Sequence, residues 1–86
     1  MSNFNIMAIA VNHRTIKALE LQEILTKYGC NIKMRLGLHE AESVCSEDGL
    51  VILQLTGNAE DIKSLEKSLN LVTGLKAKTI EISTEI

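Results

Sequence analysis

The side chains best suited to chemistry are His13, Cys30, His39 and Cys45. Imidazole nitrogens and thiolate sulfurs are the borderline and soft ligands that zinc, nickel and copper select. No two of the four are three or four residues apart, so no helix face presents a pair. His39 and Cys45 share one polar segment, HEAESVCSED at 39–48, where Glu40, Glu42, Glu47 and Asp48 could complete a set. Across a dimer His13 could add to it. His39 and Cys45 are therefore the candidate metal ligands; the competing reading is two exposed histidines and a loop cysteine. The serines and threonines show no histidine–carboxylate pairing, and the carboxylates fall mainly on loop and helix surfaces. That pattern predicts a protein without a catalytic site.

These residues need a scaffold, and the chain supplies one by repeating a unit. A strand, a helix and a strand fit residues 4–38, and the same order returns in 50–82. Two βαβ units in 86 residues predict one α+β domain, a ferredoxin-like βαββαβ sandwich. Its four-stranded antiparallel sheet has the order 4-1-3-2, with both helices on one face. The first strand (4–11) and the third (50–55) are apolar on both faces, as central strands are. The second strand (32–38) alternates Ile32, Met34, Leu36 and Leu38 with Lys33, Arg35 and Gly37, which suits a sheet edge.

In the first helix, from about residue 14 to 28, Ala18, Leu21, Leu25 and Tyr28 share a face flanked by Ile24. Asn12 is its expected cap and Gly29 its expected left-handed stop. Asn58 caps the second helix, with Glu60 and Asp61 in its first turn. Ile62, Leu65, Leu69 and Val72 form its apolar stripe, and Gly74 closes the region. The last strand covers 75–82, leaving 83–86 as a frayed tail.

Two helices cover one face of a sheet. Met7, Ile9, Val11, Val51, Leu53 and Leu55 form a strip on one side of the central strands, and Ile6, Ala8 and Ala10 lie on the other. The alternation does not fix which side meets the helices, but one apolar face is left over in either case. A face of that kind marks an interface, so a homodimer or homotetramer is expected, with sheets joined edge to edge or packed face to face.

Composition narrows the partners. The net charge of −2, with both signs spread along the chain, argues against direct nucleic-acid binding. No apolar stretch nears the roughly 20 residues that span a bilayer. The start, MSNFNIMAIAVNHR, lacks a basic segment followed by a long apolar run. These features predict a cytoplasmic protein with reduced thiols. Several chemistries hosted by this fold lack their residues here. The turn after the first strand is Asn12-His13-Arg14-Thr15, without the Cys-x-x-Cys of a copper chaperone. The 2 cysteines are too few for an iron–sulfur cluster. One Phe and one Tyr do not make an RNA-stacking surface.

The stretch NIKMRLGLHE, followed by SEDGLVILQLTGNAEDIKSLEKSLNLVTGLKAKTIEI, resembles the iron-only hydrogenase system regulators. These are small ACT-like proteins of ferredoxin-like fold, related in architecture to the C-terminal domain of the nickel-responsive repressor. The resemblance runs from about Ile6 to Ile82. It is carried by Arg35-Leu36-Gly37, by Asp61-Ile62-x-x-Leu65-x-x-x-Leu69, and by Gly74-Leu75-x-Ala77-Lys78. The family has glycines within the second helix where this chain has Lys63, Lys67 and Asn70. The resemblance implies a regulatory, non-enzymatic, oligomeric module. Related ACT domains hold small effectors at subunit interfaces, using the turn after the first strand and the edge of a neighbour. Carried onto this chain, that implies a ligand site near Asn12, His13, Arg35 and Gly37. Nickel-repressor relatives bind metal through histidines and a cysteine, the implied alternative for His39 and Cys45.

Overall fold

The computed structural model describes residues 3–12, 14–38 and 49–84. Its elements are β1 (Asn3–Val11), α1 (Arg14–Lys27), a short 3-10 turn (Gly29–Asn31), β2 (Ile32–Leu38), β3 (Gly49–Leu55), α2 (Ala59–Asn70) and β4 (Leu75–Ser83). The four strands form one antiparallel sheet in the order β2-β3-β1-β4. This is the ferredoxin-like α+β fold that the two repeated units predict.

The core fixes which side of the sheet meets the helices. Met7, Ile9, Val11, Val51, Leu53 and Leu55 are all buried, together with Leu21 and Leu25 of α1 and Ile62, Leu65 and Leu69 of α2. The strip of alternating residues on the central strands therefore lies under the helices. The leftover apolar face is the opposite one, with Phe4, Leu50 and Ile80 among its members. Ile24, Tyr28 and Val72 pack at the margin of the core, where the helical periodicity puts them. No polar or charged residue is buried among the described residues.

Local sequence sets the ends of the elements. The Asn58 side chain accepts a hydrogen bond from the Asp61 backbone N–H at 2.8 Å, and Glu60 and Asp61 place negative charge against the helix N-terminus. Gly74 has φ 94°, and Gly57, before α2, has φ 104°; both lie in the left-handed region that favours glycine. Gly29 does not take that role. The chain leaves α1 through Tyr28 at φ −102° and ψ 22°, and the Asn31 N–H donates to the Tyr28 carbonyl at 2.9 Å. The helix end tightens into a 3-10 turn instead of reversing through a left-handed glycine. Ser83 is also not part of a frayed tail: it ends β4 and pairs with Asn3.

Candidate functional site

Three places on this scaffold bear on function: the turn after β1, the exposed edge of β2, and a groove beside α2.

Asn12 follows β1 directly. Its backbone N–H donates to the Gly74 carbonyl at 2.8 Å, tying the turn to the start of β4. A hollow of about 330 Å³ opens beside it, lined by Ala10, Val11, Asn12, Gly49, Gly74 and Lys76. Glycine and alanine walls leave it roomy. Asn12 and Lys76 supply its polar groups, an amide and an ammonium, which suit a ligand carrying a carboxylate or another anion. Lys76 does not stand out in the sequence, where nothing distinguishes it from the other lysine of the same strand, Lys78. The pairing of Ala10 with Lys76 across β1 and β4 is what brings it to this turn.

Arg35 and Gly37 lie two strands away. They pair with Leu53 and Val51, which in turn pair with Met7 and Ile9. At about 4.8 Å between strands and 3.3 Å per residue, Gly37 is about 14 Å and Arg35 about 19 Å from Asn12. Arg35 Nη1 donates instead to Gln22 Oε1 of α1 at 2.7 Å, an exposed contact. No atom stands within 4 Å of the position a Cβ would take on Gly37. Within one chain these residues do not share a site with Asn12.

His13, His39 and Cys45 lie outside the described residues. Among the described residues no group of three or more His, Cys, Asp or Glu side chains converges as a metal site. Cys30 is a free, exposed thiol in the 3-10 turn.

The groove beside α2, about 500 Å³, lies between the first half of that helix and the far ends of β1 and β4. Asn3, Asn5, Thr79 and Glu81 line its sheet side, and Lys63 and Glu66 its helix side. Thr79 Oγ1 donates to Glu66 Oε2 at 2.5 Å. The sequence signal for it is a change along one strand face. Asn3 and Asn5 share the parity of buried Met7, and Thr79 and Glu81 that of Ala77, so the helix-facing side turns polar where the core ends.

No protein-family model and no curated sequence matches the chain significantly. Solved structures do share its fold. An uncharacterised protein from Thermotoga maritima superposes with a TM-score of 0.81 at 23% identity, covering 95% of this chain and 100% of that one. The ACT domain of a GTP pyrophosphokinase from Chlorobium tepidum gives 0.70 at 12% identity, covering 92% and 100%. A PII-like signalling protein from Thermus thermophilus gives 0.62 at 13% identity, covering 93% and 87%. The chain thus has the ferredoxin-like fold that ACT domains and PII-like signalling proteins share. Among the described residues no helix is long and apolar enough to cross a membrane.

Proposed function

We propose that this protein is a non-enzymatic regulatory module of the ACT type, which acts as a homo-oligomer and responds to a small ligand held beside Asn12. The observation that carries the reading is the hollow at the turn after β1, set in a fold that matches ACT and PII-like domains along nearly its whole length. The asparagine amide, the Lys76 ammonium and the two glycine walls favour a small anionic or zwitterionic effector. His13 follows Asn12 directly in the chain and belongs to the same proposal.

The non-enzymatic part is supported by the likeness to an ACT domain and to a PII-like signalling protein.

The test is a set of ¹H–¹⁵N correlation spectra recorded while the twenty amino acids are added one at a time. The expected result is a saturable shift at Asn12, Gly74 and Lys76 with at least one of them, reduced in Lys76→Ala. Shifts confined to the groove of Glu66 and Thr79, or none with any amino acid, would contradict the assignment of this site.

A further inference from the structure

The sheet face turned away from the helices carries apolar side chains on all four strands, interrupted by Gln54, Lys76 and Lys78. Phe4, Met34, Leu36, Leu50, Ile80 and Ile82 all point to it and are each 40–57% exposed. They are not scattered. Met34 pairs with Gln54, Gln54 with Ile6, and Ile6 with Ile80, so one row crosses the whole sheet. The next row runs through Leu36, Ile52 and Ala8 to Lys78. Single exposed leucines and isoleucines are ordinary; a continuous field of them is the mark of a surface covered by something else.

The charges on the face select what covers it. No described acidic residue points to it, and its two cations, Lys76 and Lys78, sit together at one corner, on the first part of edge strand β4. A second copy offers an equally apolar centre. Sheets packed face to face keep their strands within about 30° of each other. The two-fold axis parallel to the strands carries the lysines of β4 over β2 of the partner, roughly 14 Å away, whereas an axis perpendicular to the strands would bring the two Lys78 within about 7 Å in plan. The parallel axis is therefore the one that keeps like charges apart, and with it the lysines reach solvent at the rim while their stems cover apolar surface. In plan the face measures roughly 400 Å². Side-chain relief raises its accessible area toward the 800 Å² or so that each partner buries in a standard specific interface.

The start of the β4 edge and the charged, irregular edge of β2 are guarded, whereas this face is not. On β4, Asn70 Nδ2 donates to the Ala77 carbonyl at 3.0 Å and Asn70 Oδ1 accepts from the Ala77 N–H at 2.8 Å. The Leu75 N–H is taken by the Val72 carbonyl. A strand arriving there finds these groups occupied. On β2, the register shifts between Ile32 and Met34, and Lys33 and Arg35 are exposed. An irregular, charged edge discourages strand addition.

We infer that a second copy docks on this open face, sheet against sheet, giving a helix–sheet–sheet–helix dimer. The inference rests on the homo-oligomeric reading above and supplies its geometry.

The edge amides provide a direct discriminator. Because Ala77 turns its N–H outward to Asn70, the alternation of the antiparallel ladder sends the N–H groups of Arg35 and Gly37 out from the free edge of β2. The experiment is sedimentation equilibrium of the wild type, Leu36→Glu and Ile80→Glu, with circular dichroism to check the fold and hydrogen exchange at Arg35 and Gly37. The expected result is a wild-type dimer that either glutamate weakens by at least about 100-fold, since it buries uncompensated charge. The helix and strand signal is unchanged, because both positions are exposed in a single chain, and the Arg35 and Gly37 amides exchange freely in the dimer. A dimer that survives both substitutions would overturn the inference while leaving homo-oligomerisation intact, and protection of those amides would then place the contact at the β2 edge. A wild-type monomer at the highest attainable concentration would overturn both.

Discussion

The side-chain amide of Asn70 makes the same pair of hydrogen bonds to Ala77 that a neighbouring strand would make, at 2.8 and 3.0 Å. A residue at the last position of α2 thereby caps the edge of β4 at Ala77, joining helix to sheet beside the buried Leu69 and Leu75. Asn70→Ala removes both bonds and is predicted to lower stability by about 1–2 kcal/mol. Asn70→Asp keeps the acceptor but sets a carboxylate against the Ala77 carbonyl, and is predicted to cost more than alanine. Urea unfolding of the two variants checks the order; equal stability of all three proteins would show that the pair contributes nothing.

The entry to α2 depends on Asn58, whose side chain takes the otherwise unpaired N–H of Asp61. Asn58→Ala is predicted to cost about 1 kcal/mol, and Asn58→Ser or Asn58→Asp much less, because each keeps an oxygen in place. The comparison is a shift of the urea midpoint at constant slope.

The glycines divide by conformation. Gly74 and Gly57 have φ of 94° and 104°. A Cβ on Gly57 would also run into the amide of Asn31, which is held by the Thr56 carbonyl. Alanine at either position is predicted to destabilise by at least about 1 kcal/mol. Alanine at Gly29 or Gly37, where nothing stands within 4 Å, is predicted to change stability by less than about 0.5 kcal/mol. Thermal melts of the four variants should fall into those two groups.

Leu53 and Leu65 are fully buried, whereas Leu71 is 76% exposed. Truncation to alanine at either buried site is predicted to cost about 2–5 kcal/mol, a large share of the roughly 5–15 kcal/mol that holds a small domain together. Leu71→Ala is predicted to be close to neutral. Similar losses at all three positions would mean that Leu71 is covered in solution.

The order of strands and helices was legible because each element carries its own period. Ile62, Leu65 and Leu69 repeat every three to four residues, while Met7, Ile9 and Val11 repeat every two. Helix parity against the sheet was not legible, since both faces of β1 and β3 are apolar and alternation alone is symmetric between them. The edge strand β2 shows the same effect: Met34 and Leu36 look inward-facing by composition yet point to the open side, and Arg35 faces α1. Gly29 reads as a left-handed stop by residue type, but the bond from Asn31 to Tyr28 closes a tighter turn. Of the candidate ligand residues, Asn12 could be placed because it follows a strand. Its neighbour Lys76 could not, because that contact depends on the register between β1 and β4.

The most direct test of the account is native mass spectrometry of the untagged protein, purified without added metal or chelator. It reads assembly state and retained small mass in one spectrum. A dimer, or a tetramer built from it, is the predicted result, and any retained mass would identify the effector class directly. A bare monomer across the accessible concentration range would contradict the claim that this domain works by packing its open sheet face against a second copy.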